Sequence, residues 1–482
     1  MLVAVGVAPR AGLALSWVLY LSLLAVGDPF LSFQWDALLS EATLVAIVLA
    51  PPGLRPFGAQ PRAIGAAPMW LERWLLFRLM LLSGLVKLLA EPGGTPGLRP
   101  WHELTALGFH WWTQPLPTPL AWWAARLPEV TQQGACAAMF AIELGAPWTL
   151  FAPRAVRHIG VALLVLLQVL IALSGNYGVF NLLTVTLCVC GLDDGVLSRV
   201  PALRRLAPRS VPAPPPAWRR AAVVPVAAAI VALGLVPTLG RLGLGALLPA
   251  PLVAAWRAVA PLESSNAYGL FARMTTVRDE VVLEGSDDGT RWREYGFRWK
   301  PWDPERSWPR WVAPHMPRLD WQLWFAALSR VERQPWVERL MQRVLEGEPS
   351  VLALLGENPF QDRPPHLVRA TRWRYRFSTP AERAATGQVW QRTLIGPYAP
   401  VRSGARSSYI DDGGRARSEA PASRTARTCA RFAFASCVIS PSANDTNQAK
   451  VEAPAYVDED QWIQAGAGPR SGAMHGVART HG

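Results

Sequence analysis

The sequence predicts a polytopic α-helical membrane domain of about seven spans and an extracytoplasmic α+β module, a small β-sandwich with a helical insertion. Hydrophobic residues make up 51% of the 482 residues and charged residues 17%, which is too apolar for a soluble protein of this size. Long apolar runs dominate the first 260 residues, and alternating, turn-rich sequence follows. We therefore expect a membrane domain at 1–260, a soluble module at 261–400 and a disordered tail at 401–482.

Seven segments of the first domain are candidate membrane spans. A helix needs about 20 apolar residues to cross a hydrocarbon core roughly 30 Å thick, and these segments reach or approach that length. The second and sixth are short enough to be re-entrant or interfacial pieces instead. The segments are 11–27, 37–50, 70–90, 134–152, 158–174, 177–191 and 221–240.

Basic residues predict the orientation of these spans, because loops rich in Lys and Arg remain on the cytoplasmic side. Seven spans that start with Arg10 inside place all three arginine-rich loops in the cytoplasm. The Trp-rich loop 91–133 and the module at 261–400 then lie outside the cytoplasm. The arginines of the three loops are Arg55, Arg62, Arg154, Arg157, Arg199, Arg204, Arg205, Arg209, Arg219 and Arg220.

Charge and cysteine content exclude several function classes. The net charge of +13 lies largely in the cytoplasmic loops, where topology explains it, and no nucleic-acid motif accompanies it. The five cysteines show neither a disulfide framework nor a metal-ligand spacing. We therefore expect no nucleic-acid partner, no metal and no cofactor. The first apolar segment also lacks the small-residue cleavage pattern of a signal peptide.

Strand and helix patterns replace the long apolar runs in the module. Segments 278–283 and 295–299 are predicted strands, and SDDGT at 286–290 is the turn between them. Segment 319–341 is a predicted helix with an interruption at its proline. Aromatic residues alternate with arginines over 368–378, which predicts a further strand.

Charged residues inside the predicted spans are expected to pair with one another. A lysine at the centre of a membrane costs roughly 2.5–3.5 kcal/mol, and intramembrane ions seldom remain unpaired. We therefore expect an internal cluster of Arg or Lys with carboxylates. Its members are Asp36, Glu41, Arg78, Lys87 and Glu143.

The most informative blocks of the sequence are VAPHMPRLDWQLWFAAL at 312–328, NAYGLFARMTT at 266–276 and VVLEGSDDGTRWREYGFRWKP at 281–301. These blocks resemble the lipase maturation factor family. Further blocks in the family's order start at Phe33 (FQWDALLSEATLVAIVLAPP) and Trp74 (WLLFRLMLLSGLVKLLA), with others at 104–124 and 174–194. The resemblance covers roughly residues 15–400. From the resemblance we expect this chain to lack the family's leading membrane segment and first loop.

The resemblance implies a membrane-bound, chaperone-like factor for the folding and maturation of secreted proteins, with lipases as the family's clients. Animal members are multi-pass endoplasmic reticulum proteins, and their lumenal C-terminal domain is implicated in client contact. The Ala-, Arg- and Pro-rich composition suggests a bacterial source, for which the location would be the inner or plasma membrane. Membrane lipid is a second expected partner, through a Trp-rich platform or an aromatic belt in loop 101–123.

The expected client-contact surface combines aromatic residues with arginine, the residues that dominate protein contacts energetically. The other interpretation is that Asp320 caps a helix, Arg318 pairs with a carboxylate, and the tryptophans fill the core or the seam with the membrane domain. Both interpretations remain open at this point. The residues are Tyr268, Phe271, Arg273, His315, Arg318, Asp320, Trp321 and Trp324.

An enzymatic function is the second hypothesis. The G-x-S-x-G and H-E-x-x-H motifs are absent from the sequence, which argues against the common lipase and metalloprotease classes. Lys87, in SGLVKLL, is similar in setting to the vitamin K-dependent carboxylase-like transmembrane domain, and that resemblance implies a base acting on a lipid or quinone-like substrate. The competing interpretation is that Lys87 lies near the end of its span and extends its ammonium group to the interface.

Overall fold

A computed structural model describes residues 3–51, 53–54, 65–89, 98–201 and 216–404. The tail expected at 401–482 lies outside the described residues, apart from its first four positions. The same holds for Arg55, Arg62, Arg204, Arg205 and Arg209 among the arginines used to predict the orientation.

Helices occupy every segment that the sequence predicts as a span. The membrane domain consists of α1 Pro9–Val26, α2 Gln34–Leu49, α3 Ala66–Leu89, α4 Ala106–Thr113, α5 Pro119–Ala124, α6 Glu129–Gly145 with the 3₁₀ turn Ala146–Phe151, α7 Arg154–Ser174, α8 Phe180–Val189, α9 Asp194–Leu197, α10 Ala217–Arg241 and α11 Ala250–Val259.

Four of these helices are long and apolar enough to cross a membrane: α1, α6 with its 3₁₀ turn, α7 and α10. Helix α2 has 16 residues and α8 has 10. Helix α3 has 24 residues but carries Glu72, Arg73, Arg78 and Lys87. Length and composition thus support four of the seven predicted spans.

Helix α7 illustrates how the sequence suits a membrane. Its buried residues recur every three to four positions, so they form one stripe along the helix. The opposite face is apolar as well, which is typical of contact with lipid rather than water. The buried stripe is Gly160, Val161, Leu164, Leu167 and Gln168. The exposed apolar residues include Ile159, Leu163, Leu166, Val169 and Leu170.

Arginine side chains hold the helix ends together at the end of the bundle remote from the module. Arg10 and Arg219 both donate to the carbonyl oxygen of Ala50, at 2.6 and 3.4 Å. The start of α1, the end of α2 and the start of α10 therefore meet. Arg157 likewise joins the start of α7 to the segment after α8, because its Nε donates to the Gly191 carbonyl at 2.8 Å.

The module contains one antiparallel sheet with the strand order β2-β1-β3-β4. Its strands are β1 Arg278–Ser286, β2 Arg293–Glu294, β3 Leu367–Phe377 and β4 Trp390–Ser403. Three helices lie between β2 and β3, namely α12 Arg318–Ala327, α13 Pro335–Leu345 and α14 Pro349–Leu352. Helix α15 Pro380–Thr386 connects β3 to β4.

The structure corrects two expectations for the module. The second strand is Arg293–Glu294, and 296–299 lies beyond it, because Gly296 pairs with Glu357 instead of continuing the ladder with β1. The described part of the module forms a single sheet rather than a sandwich, because helices α12 and α13 cover the face of β1. The last strand ends at Ser403. The helix interruption at Pro335 is confirmed, since α12 ends at Ala327 and α13 begins at Pro335.

The bundle and the module share a hydrophobic core. The largest cluster of buried side chains contains Trp35 and Leu79 of the bundle together with Tyr268 and Trp321 of the module. The rings of Trp35 and Trp321 meet edge to face with their centroids 5.0 Å apart. The contact between the two parts is therefore continuous apolar packing.

Candidate functional site at the seam between bundle and module

Arg318 connects the first turn of α12 to the start of α2. Its guanidinium contacts both carboxylate oxygens of Asp36, with Nη2 2.6 Å from Oδ1 and Nη1 2.8 Å from Oδ2. The Tyr20 hydroxyl donates to the same carboxylate at 2.5 Å. Because Asp36 is almost fully buried, this bidentate charge-assisted pair fixes the orientation of α12 on the bundle.

The segment containing Asn266 and Tyr268 covers a second ion pair inside the bundle. Arg78 and Glu41 pair directly, and each side chain is only 1% exposed. The Tyr268 hydroxyl and the Asn266 backbone N–H donate to Glu41 Oε2 at 2.6 and 3.1 Å. Arg78 Nη1 donates in turn to the Asn266 carbonyl at 3.1 Å. This pair therefore obtains part of its hydrogen bonding from outside the bundle.

The Tyr268 hydroxyl is held in its protonated form. Burial and the neighbouring Glu41 carboxylate raise the pKa of Tyr268 well above its usual value. A protonated phenol can donate to the carboxylate, which stabilises the charge on Glu41.

Lys87 forms the third pair, with Glu143 of α6. Its Nζ lies 2.7 and 2.9 Å from the two carboxylate oxygens and 2.7 Å from the Ser83 carbonyl. The side chains of Lys87 and Glu143 are 7% and 5% exposed, so Lys87 does not extend its ammonium into solvent. The Trp101 ring centroid lies 5.5 Å from Nζ. The contacts of Nζ are therefore with acceptors inside the protein.

A polar network that sequence reasoning missed connects loop 98–133 to the start of α8. The Tyr177 hydroxyl lies 3.1 Å from His110 Nε2 and donates to Gln114 Oε1 at 2.9 Å. Burial, with a smaller contribution from the positive charge of Lys87, lowers the pKa of His110 to about 4. The residue is half-buried, and its Nδ1 is buried without a hydrogen-bond partner. His110 is therefore neutral at physiological pH.

Asn176 is a second residue that sequence reasoning missed. Its side-chain amide donates to the Leu116 and Arg310 carbonyls at 3.1 and 2.7 Å. Its Oδ1 accepts from the backbone N–H groups of Val312 and Ala313 at 2.7 and 3.1 Å. One amide thus joins the end of α7, loop 98–133 and the module. Asn176 lies in the block at 174–194 that carries part of the resemblance. Its sequence neighbours do not distinguish Asn176 from an asparagine in an ordinary turn.

A buried charge cluster holds the base of the module against the same loop. Glu280 lies between Arg278 and Lys300, at 2.7 and 3.0 Å, and all three side chains are fully buried. Arg278 also donates to the Trp112 and Pro115 carbonyls, both at 2.8 Å. Burial lowers the pKa of Arg278 while Glu280 opposes that shift.

Most of the expected client-contact residues lie within the seam. Tyr268, Asp320, Trp321 and Trp324 are buried, and Phe271 is half-buried. Trp324 Nε1 donates to the Thr113 carbonyl of loop 98–133 at 2.8 Å.

The remaining three residues differ in their access to solvent. Arg318 is engaged with Asp36, whereas Arg273 and His315 are exposed. The structure thus separates two exposed residues of the set from six that lie at or near contacts between the two parts.

Asp320 has a different role from the helix cap considered above. It lies in the first turn of α12, where the cap residue is Pro317. Its Oδ1 accepts from the backbone N–H groups of Trp299 and Lys300, at 3.2 and 2.9 Å. Burial is the main cause of the raised pKa of Asp320, and these hydrogen bonds oppose it. The carboxylate therefore positions the segment before α12.

The described residues contain no group of three or more His, Cys, Asp and Glu side chains that could hold a metal ion. The arrangement at the seam consists of ion pairs and hydrogen bonds within the chain. Such an arrangement can fix the position of a module on a helical bundle. Together these features define a membrane-embedded helical protein with a firmly attached α+β module.

Comparison with known proteins identifies the family. Residues 2–199 match the family model of the lipase maturation factor transmembrane domain, and residues 264–400 match that of the lipase maturation factor C-terminal domain. The chain is 35% identical to lipase maturation factor 2 of Homo sapiens, over 80% of this chain and 68% of the relative. It is 34% identical to lipase maturation factor 1 of Bos taurus, over 83% and 72%. The chain belongs to the lipase maturation factor family. No solved structure matches it.

Proposed function

We propose that this chain is a membrane-bound maturation factor for secreted lipases, acting as a chaperone rather than as an enzyme. The observation that carries the proposal is the family relationship across about four fifths of the chain. The geometry of Lys87 agrees with it, because the ion pair with Glu143 leaves no free base for the enzymatic alternative.

The proposal includes an orientation. Seven helices alternate in direction, the arginine-bearing ends face the cytoplasm, and the module at 261–400 lies outside it, in the endoplasmic reticulum lumen of a eukaryote or the periplasm of a bacterium. The contacts of Arg10, Arg157 and Arg219 at the end remote from the module support this arrangement. Contacts of loop 98–133 with Arg278 and Trp324 support a location of loop and module on the same side.

Client contact is assigned to the exposed part of the expected set. Arg273 and His315 can reach a client directly, whereas the other six residues hold the module in place. His315 lies beside Trp299, with ring centroids 5.9 Å apart, so it offers an aromatic surface next to a polar one. Arginine and aromatic side chains are the groups that contribute most at protein interfaces.

The test is co-expression of a secreted lipase in cells with and without this chain. The measurements are the lipase activity per amount of secreted lipase and the intact mass of the lipase. We expect the chain to raise the specific activity without a change in mass. An unchanged specific activity would refute the maturation role, and a mass difference would indicate an enzyme.

Variants Arg273→Ala and His315→Ala test the proposed client surface. We expect both to lower the yield of active lipase while the melting temperature of the chain stays the same, because both side chains are exposed. The matched control is Arg343→Ala, which removes another exposed module arginine, paired with Glu346. Equal loss in the control and the two variants would argue against a specific surface.

A further inference from the structure

Helix α5 and the residues that follow it lie between the end of α7 and the start of α6, two helices that are long and apolar enough to cross a membrane. The Thr118 hydroxyl donates to the Leu173 carbonyl at the end of α7, at a distance of 2.6 Å. Helix α6 begins at Glu129. Helix α5, the segment after it and the first turn of α6 expose large apolar side chains, which is the composition expected at a membrane boundary. They are Leu120, Trp123, Leu127 and Val130.

The module contributes another exposed tryptophan to the same region. Trp308 is 44% exposed and Trp123 is 61% exposed. The guanidinium of Arg383, on α15, lies 4.9 Å from the Trp308 ring centroid and 4.2 Å from that of Trp122. Asn176, which binds the Arg310 carbonyl, holds the Trp308 segment at this end of the bundle.

Two arginines at this place lack an acidic partner. Arg126 and Arg383 form no salt bridge with any residue in the described part of the chain. Arg126 lies over the Trp122 ring at 3.4 Å, and its Nη1 and Nη2 donate to the carbonyls of Trp122 and Ser378. Its Nε is buried without a hydrogen-bond partner. Burial, followed by the charge of Arg383, lowers the pKa of Arg126 to about 10. The nearby Arg376 differs, because it pairs with Glu382 at 2.6 Å.

We propose that Arg126 and Arg383, together with Trp122, Trp123 and Trp308, bind the phosphate of an anionic phospholipid in the leaflet on the module side. The Arg383 guanidinium suits a phosphate, because it can donate two parallel N–H bonds to the phosphate oxygens and its side chain has no hydrogen-bond partner among the described residues. Arg126, whose two Nη atoms already donate to backbone carbonyls, adds a second positive charge beside it. The tryptophans supply the amphipathic rings that favour the headgroup level. The proposal rests on insertion of the bundle in a membrane and not on client maturation.

The experiment uses the full chain purified in a neutral detergent. Native mass spectrometry measures the binding of phosphatidylglycerol, of phosphatidylcholine and of inorganic phosphate to the same preparation. We expect phosphatidylglycerol to bind more tightly than phosphatidylcholine. Inorganic phosphate should not displace it at equal concentration, because it lacks the acyl chains that contact Leu120 and Leu127.

Arg383→Gln is the primary variant, because removing this side chain breaks no hydrogen bond found in the described residues. Each basic residue near an anionic membrane contributes about fivefold to affinity, so the variant should bind phosphatidylglycerol about fivefold more weakly. Arg126 is left unchanged, because its side chain also donates to the Trp122 and Ser378 carbonyls and its removal would disturb the contact between loop 98–133 and the module. Arg383→Lys should retain most of the affinity, and Arg343→Gln is the matched control on a remote exposed arginine.

Three results would overturn the proposal. Equal affinity for the two lipids would show that the site does not recognise negative charge. Displacement by inorganic phosphate at equal concentration would indicate a site for free anions. An affinity of Arg383→Gln equal to that of the unchanged chain would remove the arginine pair as the cause. None of these measurements contains a client, so their failure is distinct from failure of the maturation role.

Discussion

Glu143→Gln should destabilise the protein strongly, although it changes a carboxylate to an amide of the same shape. In the structure Lys87 Nζ contacts both oxygens of Glu143, at 2.7 and 2.9 Å, and its other hydrogen-bond acceptor is the Ser83 carbonyl. The substitution leaves a buried ammonium without a counter-charge. Removing one partner of a buried pair typically costs about 3–5 kcal/mol, which we adopt as the expected fall in the free energy of unfolding.

Replacing both members of this pair should restore most of that loss. Lys87→Met with Glu143→Leu removes both charges and keeps similar side-chain volumes. A buried ion pair replaced by well-packed apolar residues is often neutral or stabilising. The Trp101 ring, 5.5 Å from Nζ, also suits the thioether of methionine. We therefore expect the double variant to unfold within about 1 kcal/mol of the unchanged chain.

Unfolding in detergent measures this prediction, with the two single variants, the double variant and the unchanged chain forming a double-mutant cycle. Unchanged stability of Glu143→Gln would refute the argument that the pair is needed. The double variant also tests chemistry at Lys87 independently of folding. A stable double variant that still matures lipase would exclude Lys87 as a base, whereas a stable double variant without activity would support a chemical role.

Three further predictions concern the seam and the module. Arg318→Ala leaves the buried Asp36 without its cation, so the free energy of unfolding should fall by about 2 kcal/mol. The control Arg273→Ala changes an exposed arginine and should leave the melting temperature unchanged. Equal effects of the two substitutions would contradict the role of the Arg318–Asp36 pair. Because the pKa of His110 falls from 6.5 to about 4 on folding, the unfolded state binds more protons between these values. The contribution of His110 to the free energy of unfolding should be fully present above pH 6.5 and should fall by about 2 kcal/mol at pH 5. His110→Gln should flatten the dependence of this free energy on pH, and an equally steep dependence would refute the assignment. Glu280→Gln leaves two buried cations without a counter-charge and should lower the free energy of unfolding by about 3–5 kcal/mol. An unchanged midpoint of denaturant unfolding would show that this charge cluster does not stabilise the module.

Local sequence patterns predicted the elements that depend on local periodicity. Helix α7 and strand β3 follow from an apolar run and from alternating aromatics, which indicate the buried face. Strand β1 was also predicted, although both of its faces are buried. Strand β2 was misplaced because the chain leaves β1 at Gly296, which pairs instead with Glu357, a residue distant in the sequence. The spacing of apolar residues carries no information about such a contact.

The seam residues show why composition alone left two interpretations open. Tryptophan and arginine are favoured both at interfaces with other proteins and at contacts within a chain, since both supply large contact areas and directed hydrogen bonds. The sequence predicted Arg318, Trp321 and Trp324 as contact residues from their residue types. What it lacked was the partner, namely Asp36 for Arg318 and the Thr113 carbonyl for Trp324.

The boundary near residue 260 separates two kinds of sequence, but it does not separate two independent cores. Tyr268 and Trp321 lie in the same cluster as Trp35, and Tyr268 also donates to Glu41 inside the bundle. Removing the module would expose this cluster to water and would withdraw a hydrogen bond from the buried carboxylate of Glu41, both of which are costly. The family's division into a transmembrane and a C-terminal domain therefore describes the sequence better than it describes the energetics. A substitution at Tyr268 in the module should therefore also destabilise the membrane domain.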